Sequence, residues 1–320
     1  MTRCTLMVSL VLIGMSAQCA PAQDYPARAI RLVVPSTPGG TSDILARILA
    51  PKLSEALGQQ VVVDNRAGAS TVIGVALAAK SAPDGYTIVI TPAALATNPS
   101  MFIKLPFDTL RDLAPISRLV EGPSMLIVHP SVPAKNVKEL IALAKAKPGS
   151  LIVASSGKGT VPHLAHELFR IMAGVDMPQV LYKGTGQGMI SVISGELALF
   201  YASPIAVMPL INAGKLRGLG VSTKARLQAL PEVPTIAETL PGYEATQWFG
   251  ILAPAGTPRP IIDRLNRELA RALRAQDLNA RLVADGMVVV ASTPDEFARH
   301  IKSDMEKWAK VIQAAGIKPE

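Results

Sequence analysis

The sequence is poor in cysteine and histidine, and each shortage narrows the chemistry that the protein can perform. The two cysteines, Cys4 and Cys19, both lie near the start of a chain of 320 residues. If that segment is removed on export, no disulfide framework, thiol nucleophile or zinc–thiolate site remains. Four histidines leave few bases for a catalytic triad, and no G-x-S-x-G motif provides a serine nucleophile. The sequence therefore favours a binding protein over an enzyme.

Long apolar runs are missing too, except at the N-terminus. Residues 4–17 carry no charge, follow Arg3 and precede Ala20-Pro21-Ala22, which is typical of a secretory signal. The run is shorter than the roughly 20 residues that a spanning helix needs, which disfavours a membrane anchor. Lipidation of Cys19 is an alternative. We expect residues 1–22 to be a signal peptide, cleaved after Ala22, and the mature protein to be periplasmic.

Nucleotide and metal signatures are incomplete. Residues 184–188 contain glycines at dinucleotide-fingerprint spacing, but Met189 stands where the third glycine should be. Residues 156–160 lack the spacing of a phosphate-binding P-loop. His163 and His166 lie three apart on a predicted helix, without an obvious third ligand, so we interpret them as packing or hydrogen-bonding residues. We therefore expect no cofactor and no metal ion.

Basic residues outnumber acidic ones by 32 to 24, which gives a formal net charge of +8 at pH 7. In an exported protein this excess indicates weak attraction of small anions or of a membrane surface. We expect no nucleic-acid partner.

The chain is organised around an apolar strand that runs into a glycine turn. The strand Ile30–Val34 is followed by a turn rich in Pro, Gly, Ser and Thr, and a helix begins near Thr41. We expect Gly39 and Gly40 to leave backbone N–H groups open to an anion, with the helix dipole adding attraction. Residues 151–168 repeat the strand, turn and helix. Two such turns indicate two lobes that face one ligand.

Asp43 is an acidic residue within this anion-binding pattern. Its carboxylate could cap and rigidify the turn at the start of the helix, which is the interpretation that we prefer. Alternatively, it could meet an amino group or an ordered water of the ligand.

Strands and helices alternate in the first part of the chain and again in the middle. This alternation predicts βαβ units with parallel strands. The predicted strands are 30–34, 61–63 and 86–90, with helices at 44–57 and 71–79. In the middle, a helix is predicted from Pro133 and strands at 151–154, 180–182 and 197–201.

Two extended runs, residues 116–128 and 248–253, are predicted to cross between the lobes. The first lobe would then be discontinuous and completed by C-terminal helices, whose apolar residues recur at helical spacing. The predicted fold class is α/β, each lobe being an α/β sandwich around a mainly parallel sheet, with a ligand cleft between the lobes. The predicted division is a signal peptide at 1–22, lobe 1 at 23–122 and 248–320, and lobe 2 at 123–247.

Several ordered stretches match one known family. They include Tyr25-Pro26, PGGTSDILAR (38–47), DNRAGA (64–69), APDGYT (82–87), SSGKGTVPHLAHELF (155–169), YKGTG (182–186) and WFGILAPAGTP (248–258). Over nearly all of residues 25–317 the chain resembles the Bug family, the extracytoplasmic solute-binding proteins of tripartite tricarboxylate transporters. The resemblance implies a two-lobe, type II-like periplasmic binding fold. Such a fold closes on a carboxylated ligand through backbone amides, hydroxyls and waters.

The resemblance also implies which residues contact the ligand. One departure from the family is Ser36, where many relatives carry a bulkier residue, and it affects the size and polarity of the pocket wall. The implied contacts are Gly39, Gly40, Thr41, Asp43 and Ala93 in the first lobe, and Ser156, Gly157, Gly159, Thr160, Gly184 and Ala202 in the second.

The function implied by the resemblance is that of a monomeric receptor. It would capture a small carboxylate, such as a di- or tricarboxylate, an amino acid or an aromatic acid, and deliver it to the membrane subunits of a tripartite tricarboxylate transporter. A co-sensor that reports ligand to a signalling protein without transport is an alternative. A secreted hydrolase is a third, less favoured, possibility.

Overall fold

The computed structural model describes residues 25–227, 230–314 and 316–319. The predicted signal peptide, with its cleavage after Ala22, lies outside these residues. Within them, no helix is both long enough and apolar enough to cross a membrane.

Strands and helices alternate through most of the described chain, numbered here in chain order. The strands are β1 Ile30–Val34, β2 Val61–Asn65, β3 Thr87–Pro92, β4 Leu113–Pro123, β5 Met125–Val128, β6 Val153–Ser155, β7 Gln179–Leu181, β8 Leu199–Ala202, β9 Arg217–Val221, β10 Thr246–Pro254 and β11 Val288–Val289. The helices are α1 Thr41–Leu57, α2 Val72–Ala79, α3 Ala94–Met101, α4 Val137–Ala146, α5 Val161–Ala173, α6 Thr185–Ile193, α7 Pro204–Asn212, α8 Arg259–Arg274, α9 Gln276–Ala284 and α10 Pro294–Ala314.

The strands form two sheets, and each sheet is the centre of one lobe. In lobe 1 the strand order is β11-β4-β10-β3-β1-β2, and in lobe 2 it is β7-β6-β8-β5-β9. Helices α1–α3 and α8–α10 belong to lobe 1, and α4–α7 belong to lobe 2. Four of the five residues of β1 are fully buried, as expected for a strand covered by helices on both faces.

The chain passes between the lobes at two places that are tied together. It leaves the first sheet after Pro123, and it returns at Thr246, which pairs with Pro123 in the antiparallel ladder of β4 and β10. Ser222 of lobe 2 joins both crossings. Its N–H donates to Ser124 O at 2.8 Å, its Oγ accepts from Ser124 N at 2.8 Å, and its carbonyl accepts from Ala245 N at 2.9 Å. The two crossing segments are therefore linked by backbone hydrogen bonds.

The two-lobe α/β fold predicted from the sequence is confirmed, with some differences of detail. Strand pairing is mixed rather than mainly parallel, because β10 and β5 each run antiparallel to both neighbours. Helix α4 begins at Val137 instead of near Pro133, since the side chain of Asn136 accepts from Glu139 N and caps it. Helices α3, α7 and α9 and strands β9 and β11 were not predicted.

His166 is a buried ionisable side chain in the core of lobe 2. Its Nε2 donates to Met177 O at 2.9 Å, and its Nδ1 has no hydrogen-bond partner among the described residues. Burial lowers the pKa of His166 to about 4, and the hydrogen bond to Met177 opposes this shift only in part. The imidazole is therefore neutral in the folded protein at pH 7. His163 lies one turn earlier, where its Nδ1 accepts from Gly159 N at 3.1 Å.

Acid should destabilise the protein through His166. A histidine whose folded pKa lies below its unfolded value contributes stability that is fully present above about pH 6.5 and is lost as pH falls towards 4. The His166→Gln variant keeps an amide donor for Met177 O but cannot gain a proton in this range. We expect the wild type to lose about 3 kcal/mol more unfolding free energy than the variant between pH 7 and pH 4. Urea unfolding at a series of pH values measures this difference, and parallel curves for the two proteins would contradict it.

Candidate functional site

A cavity lies between the two lobes and is lined by residues from both. The centre of a water-sized sphere can occupy about 40 Å³ of it, and the wider empty space of about 530 Å³ includes solvent at its mouth. Lobe 1 contributes Pro35, Ser36, Thr41, Ser42, Thr71, Pro92, Ala94, Gln247 and Phe249, and lobe 2 contributes Ser156, Thr160, Val161, Pro162, Lys183, Gly184, Thr185, Ala202 and Ser203.

Six helices present their N-terminal ends to this cavity. Each contributes the residue that caps it or residues of its first turn: Thr41 and Ser42 for α1, Thr71 for α2, Ala94 for α3, Thr160 to Pro162 for α5, Gly184 and Thr185 for α6, and Ser203 for α7. The first N–H groups of a helix have no partner within the helix, and its dipole places a partial positive charge there. The cavity is therefore suited to an anion.

The side chains around the cavity are mostly neutral. None of the described lining residues is Asp or Glu, and Lys183, which is basic, is exposed. Gln247 of β10 donates from Nε2 to Ser203 Oγ at 2.5 Å, which joins the two lobes beside the cavity. The hydroxyl of Ser36 is buried and has no hydrogen-bond partner within the described chain. Ser36 thus offers a hydroxyl that no protein group uses.

Asp43 organises the turn before α1. Its Oδ2 accepts from Gly39 N at 2.9 Å, its Oδ1 accepts from Asn65 Nδ2 at 3.0 Å, and Arg47 Nε lies 3.0 Å from both oxygens. Burial alone would raise the pKa of Asp43, but hydrogen bonds from Arg47, Gly39 and Asn65 outweigh it and hold the pKa below its usual value. The carboxylate is therefore ionised and fully used by the protein, which matches the structural role preferred from the sequence.

At the first glycine turn, one prediction made from the sequence is wrong. Gly39 and Gly40 were expected to leave their N–H groups open, but Gly39 N donates to Asp43 and Gly40 N donates to Thr37 O at 3.3 Å. Asp43, in the first turn of α1, lies close enough to accept the hydrogen bond from Gly39 N. Donors at this turn are instead the N–H groups at the start of α1.

The second glycine turn is held mainly by Thr160. Its Oγ1 donates to Gly157 O at 2.7 Å and accepts from Ser156 Oγ at 3.1 Å. It also accepts from His163 N at 3.4 Å, as an N-cap does. The hydroxyl proton of Thr160 is therefore used in a hydrogen bond within the turn.

The structure brings five of the eleven predicted ligand residues to the cavity wall. These are Thr41, Ser156, Thr160, Gly184 and Ala202, and their role in binding stays a prediction. The other six lie near lining residues in the sequence but do not line the cavity themselves. They are Gly39, Gly40, Asp43, Ala93, Gly157 and Gly159.

Thirteen lining residues were not predicted as ligand contacts, and two groups among them are informative. Ser42, Thr71, Ala94, Thr185 and Ser203 stand at helix starts, so helix-capping signals after each strand could have found some of them. Gln247 and Phe249 lie in the middle of β10. No local signal marks them, because they reach the cavity through the sheet order.

The family model described as "Tripartite tricarboxylate transporter family receptor" (TctC) matches residues 45–317. The chain belongs to this family. TctC receptors are periplasmic solute-binding proteins, and the two-lobe fold of this receptor is that of periplasmic binding proteins. The Bug resemblance seen in the sequence is thereby confirmed.

Individual relatives of this TctC receptor cover almost its whole length. Protein BugT of Bordetella pertussis is 37% identical over 99% of both chains. A solved R. palustris protein, Rpa4515 with adipate, is 36% identical with a TM-score of 0.89, covering 93% of this chain and 100% of that one. MatC from Rhodopseudomonas palustris, with bound malate, is 29% identical with a TM-score of 0.83, covering 90% and 100%.

Removing the Asp43 carboxylate should loosen the turn before α1. Asp43→Ala removes a buried carboxylate that accepts hydrogen bonds from Gly39 N and Asn65, which should cost about 2 kcal/mol of unfolding free energy. The matched control is Arg47→Ala, whose side chain is 55% exposed and should cost about 1 kcal/mol or less. Denaturant unfolding of both variants measures the two costs. Equal losses of unfolding free energy would mean that Asp43 stabilises the protein through its ion pair with Arg47 and not through the turn.

Proposed function

We propose that this receptor binds a small carboxylate in the interlobe cavity and delivers it to the membrane subunits of a tripartite tricarboxylate transporter. The observation that carries this proposal is the convergence of six helix N-termini on a cavity whose described lining contains no acidic side chain. An ionised carboxylate accepts hydrogen bonds only, and the free N–H groups at helix starts are its natural donors. Relatives solved with adipate and with malate support this ligand class.

The rest of the cavity wall suits the carbon body of such an acid. Pro35, Pro92, Val161, Pro162 and Phe249 are apolar and offer no hydrogen bond from their side chains. Hydroxyl groups, including the unpartnered one of Ser36, alternate with these apolar surfaces. This combination favours an acid with one or two carboxylates on a short apolar or hydroxylated body.

Further parts of the proposal concern the protein as a whole. We infer a monomer without catalytic turnover that is exported through a signal peptide cleaved after Ala22. The predicted lobe boundaries, 23–122 with 248–320 and 123–247, lie within two residues of the positions where the chain changes sheet, between Pro123 and Met125 and before Thr246, so that Pro123 and Gln247 belong to lobe 1. The five predicted residues that line the cavity, together with Ser36, are the proposed ligand contacts, and the other six are proposed to shape the turns beside them.

A carboxylate should stabilise the protein, and its neutral amide should not. At about 100 times its dissociation constant, a ligand adds roughly 2.7 kcal/mol to the unfolding free energy by mass action. Thermal unfolding is measured with adipate, malate, tricarboxylates, amino acids and aromatic acids, and with adipamide as the uncharged control. The bound acid is then recovered and its mass checked. Stabilisation by the amide as great as by the acid, or a chemically altered acid, would defeat the proposal.

The hydroxyl of Ser36 should contribute directly to affinity. Ser36→Ala removes a hydroxyl that makes no hydrogen bond within the described chain, so the unfolding free energy should not fall. A lost charge-assisted hydrogen bond to ligand is worth about 1.5–3 kcal/mol, roughly a 10- to 150-fold weaker affinity. Calorimetry with whichever acid binds the wild type measures it.

The comparison variant is Lys183→Met, which tests a simple ion pair. Because the side chain of Lys183 is exposed, its attraction is screened, and its effect should be smaller and should shrink with added salt. Loss of binding in Lys183→Met, with unchanged affinity in Ser36→Ala, would show that the ligand is held by this lysine.

A further inference from the structure

The glycines of the second lobe lie against the first lobe at two places. At the first, here called the α6 contact, Gly184 and Gly186 meet Thr37 and Pro38 from the turn before α1. At the second, here called the α5 contact, Gly157 and Gly159 meet Ser70 and the side chains of α3. Gly157, Gly159 and Gly184 were predicted as ligand contacts from the family resemblance, and Gly186 was not.

The α6 contact brings two backbone segments directly together. A Cβ built on Gly184 would lie 2.9 Å from Thr37 N, and one built on Gly186 would lie 2.1 Å from Pro38 O. Real Cβ atoms essentially never come within 3.0 Å of such neighbours. Pro38 O is a backbone atom, so no side-chain rotation can make room. The lobes can approach this closely because both positions are glycine.

The α5 contact is equally tight and includes a hydrogen bond between the lobes. A Cβ on Gly157 would lie 2.7 Å from Ser70 Oγ, and one on Gly159 would lie 2.5 Å from Met101 Cγ. Thr97 of α3 donates from Oγ1 to Gly159 O. This bond joins the lobes without any ligand atom.

The lobe 1 side of the α5 contact is a strained segment. Ala69, Ser70 and Thr71 have φ values of 44°, 49° and 81°, which non-glycine residues rarely adopt, least of all three in a row. Asn98, buried in α3, donates from Nδ2 to Ser70 O at 3.1 Å and to Thr71 Oγ1 at 3.3 Å. These bonds fix the position of Ser70, whose Oγ meets Gly157.

We propose that Gly186 is a positioning residue for closure, because it lets the start of α6 lie against the Pro38 carbonyl. The α6 contact and the α5 contact together hold the lobes closed. The proposal rests on the function proposed above, because closure matters to a receptor that encloses its ligand. A ligand that binds the closed form better shifts the population towards it. Residues that permit the contact therefore act on affinity without touching the ligand.

Gly186 allows closure to be separated from folding. Its φ lies outside the positive range, and it sits in the first turn of α6. Alanine is a better helix former than glycine, so Gly186→Ala should not lower the melting temperature of the receptor. Gly157 and Gly159 have φ values of 130° and 74°, so a side chain there would strain the turn in any conformation. Gly188→Ala is the matched control, because its Cβ would lie 3.3 Å from Phe200 of the same lobe.

Closure can be measured without a ligand by cross-linking. A Cβ on Gly40 lies 3.3 Å from Thr185 Cβ, near the separation of about 3.5–4.5 Å found in disulfides. The background chain carries Gly40→Cys and Thr185→Cys, with Cys4→Ser and Cys19→Ser so that the introduced pair supplies all thiols. We expect it to form the disulfide under mild oxidation. Adding Gly188→Ala should leave the rate unchanged, and adding Gly186→Ala should lower it by about tenfold or more.

A second variant covers the case in which Gly186→Ala disturbs folding. Thr97→Val keeps the shape of the side chain but removes its bond to Gly159 O, and it should also slow the cross-link. A background chain that never cross-links, or equal rates with Gly186→Ala and Gly188→Ala, would overturn the proposal.

Calorimetry with adipate or malate tests the proposed function separately, on chains without the cysteine pair because Thr185 lines the cavity. We expect one of these acids to bind Gly186→Ala more weakly than Gly188→Ala. If neither acid binds while Gly186→Ala still slows the cross-link, the closure proposal stands and the choice of these acids fails.

Discussion

Six helix N-termini share one cavity, and the partial positive charges at their ends are not neutralised by any acidic side chain of the described lining. Each end carries a partial positive charge from its helix dipole, although Pro162 in α5 and Pro204 in α7 supply no N–H group. Ends of the same sign repel one another, and they do so more strongly when the lobes close and water is reduced. An anion between them replaces that repulsion by hydrogen bonds. The same arrangement therefore accounts for the attraction for a carboxylate and supports the closure that we propose for the occupied protein.

Asp43 shows how the protein keeps a carboxylate of its own near this site without filling it. The acid sits in the first turn of α1, where a negative charge is favourable, but its oxygens are taken by Gly39 N, Asn65 and Arg47. Its lowered pKa means that it stays charged through the physiological range. The charge is turned away from the cavity wall, so it steadies α1 while the remaining N–H groups of that helix stay available for a ligand.

Local sequence patterns predicted much of the fold and part of the candidate site. The strand, turn and helix around α1 were predictable because apolar residues, glycines and capping residues follow one another within about 20 residues. Helix α3 was missed because nearly all of its residues are buried and it contains Pro99, so no apolar stripe repeats at helical spacing. Gln247 and Ser203 could not be paired in advance, since they are 44 residues apart and meet only through the sheet order. The glycine contacts could not be predicted either, because only the folded chain shows which residue faces Gly186.

The linked crossings limit how the lobes can move. Because Ser222 bonds to both Ser124 and the carboxyl-terminal crossing through Ala245, and because β4 and β10 pair up to Pro123, the two connections resist twisting independently. Strands joined in this way resist twisting more than bending, which would confine an opening of the lobes to a narrow arc. A narrow arc has little conformational entropy to lose when the ligand arrives. Much of the ordering that recognition requires is thus completed when the chain folds.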